Sequence, residues 1–108
     1  MVKNIRLVIN DKMDLKVLFY NIKDSFEKND EVRFIFDGTK SNVSMETVKS
    51  FKKIFDKFEK EIEDKLVEIL IIVSGSLKKM ALSGFLKIFT IKKQVKVIEE
   101  KDFTNLKF

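Results

Sequence analysis

The sequence predicts a small single-domain α/β sandwich of order βαβαβαβ, with about four mostly parallel strands and three or four helices. Three observations carry that prediction. Short apolar or alternating runs are interleaved with longer runs whose apolar residues recur with a period of about 3.6. Clusters of Gly, Asn, Asp and Ser stand between them, the residue types that turns require. The most apolar run, ILIIV at 69–73, is far short of the roughly 20 residues of a membrane span and suits a strand at the centre of a sheet. With 108 residues and eleven Phe, the chain has the length of one domain and enough apolar side chains for one core.

Each element follows in order. In NIRLVIN (4–10), Ile5, Leu7 and Ile9 alternate with Arg6 and Asn10, the pattern of a half-exposed strand. From Asp14 onward Leu15, Leu18, Phe19, Ile22 and Phe26 recur at helical spacing, and Asn29-Asp30 close the segment. VRFIFD (32–37) reads as the second strand. A long second helix is expected over 44–64, because Val48, Phe51, Phe55, Phe58 and Ile62 step by 3, 4, 3 and 4 along one stripe. Asp56 with Lys60 and Glu61 with Lys65 have the i, i+4 spacing of ion pairs on its outer side. LVEILIIV (66–73) is apolar on both faces over its second half, which predicts a central strand covered on both sides. A third helix is expected from Ser76 to about Phe89, and VKVIE (95–99) is the last strand.

Composition narrows the chemistry. Without cysteine there is no disulfide or thiol chemistry, and without histidine the commonest general base and metal ligand is missing. The reading is therefore no enzyme, no cofactor and no metal. With no leader or spanning segment in view, a cytoplasmic protein is expected. Residues 75–108 carry eight Lys against Glu99, Glu100 and Asp102, so the whole net charge of +5 falls in that third. Twenty lysines against two arginines leave little bidentate reading of bases, which argues against a nucleic-acid partner.

Two polar turns are the candidate ligand loops. In DGTKSN, Asp37, Thr39 and Ser41 place oxygens at alternate positions, and Ser44 opens the following helix. The D-x-T-x-S pattern is similar to the metal-ion-dependent adhesion site of von Willebrand A domains, but the later Thr and Asp that complete such a site have no counterpart here. FDGT followed by IIVSGS resembles the haloacid-dehalogenase phosphatases, yet Ile35 stands where their nucleophilic Asp belongs. A plain turn accounts for every residue, with Ser44 as N-cap and Glu46 at the positive helix end. In the second loop, Ser74 and Ser76 precede a helix, with Lys78 and Lys79 behind them, an arrangement open to a phosphate or an anionic lipid headgroup.

The third helix is unusual. Ser76, Lys79, Ser83 and Lys87 form one narrow polar stripe, and most of the remaining circumference is apolar. Leu82, Leu86 and Phe89 are expected on the flank that the sheet covers least. With Lys78 and Lys79 at the rim they make a candidate surface for a protein partner or a second copy. Alternatively the tail KDFTNLKF, with Phe103, Leu106 and Phe108, shields that flank from within.

The succession VRFIFDG, polar turn, SMETVKSFKKIFDKF, VEILIIVS, SLKKMALSGFLKIF and VKVIEE over 34–99 resembles the STAS domains of anti-sigma-factor antagonists. CRAL-TRIO-type lipid-binding lobes share the order. The resemblance implies a regulatory module that acts by binding a protein partner, with a phosphorylatable serine opening the second helix, where this chain has Ser44. STAS domains usually begin with two strands, and here one strand and a helix precede the match. A small anion- or lipid-binding domain is the alternative.

Overall fold

In a computed structural model, residues 1–10, 12–40, 44–85 and 94–106 are described. The elements are β1 (Lys3–Val8), α1 (Leu15–Lys28), β2 (Val32–Asp37), α2 (Met45–Phe55), a 3₁₀ turn (Asp56–Phe58), α3 (Glu59–Lys65), β3 (Leu66–Val73), α4 (Ser76–Phe85), β4 (Gln94–Glu99) and α5 (Glu100–Phe103). All four strands are parallel and lie side by side in chain order, so the α/β class read from the sequence is the observed one. No described helix is long and apolar enough to cross a membrane.

Right-handed crossovers between neighbours taken in chain order bring every crossover helix to the same face of a sheet. The main core shows this arrangement. Leu18, Ile22 and Phe26 of α1, Val48, Phe51 and Phe55 of α2, Ile62 of α3 and Leu82 of α4 all join one cluster with sheet residues Phe34, Phe36, Ile69 and Ile71. Register sets the rows on this face: Ile5, Phe34, Ile69 and Val95 align across the four strands, and so do Leu7, Phe36, Ile71 and Val97. Phenylalanine rings knit the layers together. Phe36 stacks on Phe51 at 5.3 Å, Phe34 meets Phe26 edge-on at 5.4 Å, and Phe26 continues to Phe58 at 5.6 Å.

The intervening residues build the second face. Its amino-end row is polar, with Asn4, Arg33, Glu68 and Gln94 in line. Arg33 donates from Nε to Glu68 at 2.6 Å and from Nη1 to Asn4 at 2.9 Å. Nearer the carboxyl ends, Ile35, Leu70 and Ile72 form a small buried cluster joined by Ile98 and by Phe103 of α5. β3 is thus central and covered on both sides, as its composition predicts.

Two expectations are corrected. The helix expected over 44–64 is broken at Asp56–Phe58, and Phe58 leaves helical geometry at φ −115°, ψ 29°. A continuous helix of that length would span about 30 Å, against about 20 Å for a six-residue strand such as β2. The break turns the chain back over the sheet while Phe58 and Ile62 stay buried. Asp56 consequently pairs with Lys52 at 2.8 Å, one turn earlier than the spacing rule suggested. The second correction concerns Phe103 of the tail, which packs on the second face of the sheet, opposite the helices, and not against the third helix. Phe108 lies outside the described residues.

Candidate functional site

Parallel strands place their carboxyl ends along one edge, and both candidate loops begin there. The Gly38 N–H donates to the Ile72 carbonyl at 2.9 Å, which ties the loop after β2 to the end of β3. Asp37 is fully engaged. Its Oδ1 accepts from the Thr39 backbone N–H at 3.1 Å and from the Thr39 hydroxyl at 2.7 Å, while Oδ2 accepts from Arg6 at 2.7 Å. Burial pushes the Asp37 carboxyl up, but the hydrogen bonds from Thr39 and Arg6 and the charge of Arg6 outweigh it. The net result lies below the ordinary value of 3.8. Ser44 caps α2, accepting from the Thr47 N–H at 3.3 Å and sharing a 3.2 Å hydrogen bond with its hydroxyl. Ser41 lies outside the described residues.

The loop after β3 is shaped by Gly75, whose φ of +104° L side chains rarely adopt. Lys78 reaches back so that its Nζ donates to the Ser74 hydroxyl at 3.2 Å. Ser74, Gly75 and Ser76 line one wall of an open depression whose other wall is Glu99, Glu100 and Lys101. Glu99 pairs with Lys101 at 3.3 Å. The depression therefore sets two carboxylates across from the loop where an anion was expected. Among the described residues, no three His, Cys, Asp or Glu side chains gather into a group able to hold a metal ion.

The outer face of α4 differs from the expectation. Leu82 is 2% exposed and belongs to the main core, so it is not on the free flank of the helix. Leu86 and Phe89 fall outside the described residues. The exposed apolar pair is instead Leu77, at 83%, and Met80, at 73%. These two stand three residues apart on one side of the helix, among exposed Ser76, Ala81, Ser83 and Gly84. Lys78 and Lys79 are half-buried on the borders. The flank expected to be free thus includes a core residue, Leu82, while both rim lysines are half-buried. A lysine can lay its stem beside the buried stripe and free only its ammonium group. The separation of Leu82 from Lys78 by one turn was the available signal.

This outward face carries no formal charge among its described residues. On α1 the exposed Val17 and Tyr20 are interleaved with exposed Lys16, Lys23 and Asp24, and α2 exposes Glu46, Lys49 and Lys53. Compared with known proteins, the chain matches no family model, no curated protein and no solved structure.

Proposed function

We propose that the protein is a non-enzymatic interaction module of the cytoplasm, regulatory in the manner of STAS-like domains. It docks a protein partner through the outward face of α4. The observation that carries this reading is the exposure of Leu77 and Met80 on a helix face without formal charge. Lys78 and Lys79 border that face, and α4 contains no acidic residue. The fitting surface is apolar at its centre and acidic at its rim. Pairing the same face with a second copy by two-fold symmetry would bring lysines toward lysines, which favours a different partner over self-association. Ser44 acts as the α2 cap and is not proposed as a phosphorylation switch.

The strand-end loops support an anion or lipid ligand less well. Asp37 and Ser74 already have partners, and the wall facing the β3–α4 turn sets Glu99 and Glu100 against the single charge of Lys101, which does not favour an anion there.

A photo-crosslinking side chain placed at Leu77, compared with one at Tyr20, tests the proposal in host lysate. A single acidic protein crosslinked from Leu77 alone, and then bound as a purified protein with salt-sensitive affinity, is the expected result. The Leu77→Lys/Met80→Lys double variant should fold normally and lose that binding. Equal binding by wild type and variant would sink the assignment, and sedimentation of wild type with anionic vesicles would move it to a lipid surface.

A further inference from the structure

We propose that residues 100–106 form a displaceable strap, which closes the second face of the sheet and opens without unfolding the domain. This inference does not depend on the role given to α4. The cluster beneath the strap consists of Ile35, Leu70 and Ile72, all buried, on the two central strands. Its cover is α5, a single turn that follows β4 with no intervening loop.

Among the described residues, the strap's hydrogen bonds are its own. No residue of α5 is buried and no side chain caps it. Its described hydrogen bonds all close locally: the Thr104 N–H donates to Glu100, the Asn105 N–H to Asp102 and the Leu106 N–H to Phe103, while the Thr104 hydroxyl and Asn105 amide donate to the Lys101 carbonyl. The ion pair of Lys101 is with neighbouring Glu99. Lifting the segment as a unit leaves each of these hydrogen bonds intact, and Glu99 at the hinge stays next to Lys101 in sequence. Phe103 is its described anchor, packed on the cluster with the Arg6 guanidinium 5.3 Å from its ring centroid. Arg6 is itself held by Asp37 at 2.7 Å, so the seat for the ring persists when the ring leaves.

A unit whose described anchor is one half-buried ring opens at a lower free energy than a core built from four helices. Opening bares Ile35, Leu70 and Ile72 beside Val8, which is already exposed in the row of Ile72. In the closed state the chain blocks its own apolar face.

The absence of cysteine makes the test direct. Ile72→Cys places a thiol beneath the strap, and Ile71→Cys places one beneath the helices on the adjacent residue of the same strand. Both variants of the full chain are labelled with a thiol reagent in native buffer and in low urea. The Cys at 72 should label at least about 100-fold faster than the Cys at 71, at a rate insensitive to urea. Static accessibility runs the other way, since Ile72 is the less exposed of the two. Adding Phe103→Ala should speed labelling at 72 about tenfold and leave 71 unchanged. Equal rates with a common urea dependence would mean that only global unfolding reaches either thiol, and would overturn the strap. Should Ile72→Cys lose its folded circular-dichroism spectrum, Leu70→Cys reports on the same face. Failure of both to fold would make that face part of the global core and would overturn the strap equally.

Discussion

The two faces of this sheet are built from alternate residues of the same four strands, yet they are closed in different ways. Phe34, Phe36, Ile69 and Ile71 meet helices that the crossovers necessarily deliver to their side. Ile35, Leu70 and Ile72 meet a single turn at the end of β4 and the ring of Phe103. The difference teaches that strand composition is only half of a burial argument. Over its second half β3 is apolar on both sides, and chain order decides that one side receives most of the covering structure.

The largest expected effect lies at the centre of the helix-side face. Phe34→Ala should cost about 3–5 kcal/mol in urea unfolding, as deletion of a fully buried ring does. Phe103→Ala should cost only about 1 kcal/mol, since its ring is half-buried. Equal losses would erase the distinction between the two faces. Next comes Leu82→Lys, which forces an ammonium into the main core and should cost about 2–4 kcal/mol. Leu77→Lys, on the outward side of the same helix, should stay within about 0.5 kcal/mol of wild type in the same measurement.

At the carboxyl edge, Gly75→Ala should destabilise by about 1 kcal/mol through its backbone alone, since the space around a new Cβ is open. Gly84 lies within α4 at no such φ and its Cβ position is also open, so Gly84→Ala should raise the melting temperature slightly. The smallest effect is electrostatic and belongs to the second face. The folded Asp37 carboxyl titrates below 3.8, so its hydrogen bonds from Thr39 and its pair with Arg6 together stabilise the fold above that pH. That contribution fades as the pH falls through 3.8 toward the lower folded value. Asp37→Asn should therefore flatten the acid side of the stability profile measured by urea unfolding and leave its slope near neutral pH unchanged. An acid limb identical to that of wild type would show that the Asp37 carboxylate, with Thr39 and Arg6 around it, contributes nothing.

Much of the fold was legible because local physics and global packing agree along most of the chain. The limits of β2 and β3 coincide with the apolar runs 32–37 and 66–73, and Ser44 caps α2 as its residue type suggests. The site was less legible. Alternating oxygens at Asp37 and Thr39 fit either a ligand loop or a plain turn, and in the fold they satisfy one another and Arg6, as a turn does. Leu82 looked free because a helical wheel has no absolute phase until something packs against it.

Sequence by itself determined the alternation of strands and helices, the centrality of β3, the N-cap of α2 and the concentration of positive charge in the last third. These follow from side-chain periodicity, turn chemistry and charge, which act over a few residues or simply add. Tertiary structure alone decided where the second helix breaks, which side of α4 faces outward and which face of the sheet Phe103 closes. Each of those choices depends on which surface lies opposite. Only the completed order β1-β2-β3-β4 brings that surface into place.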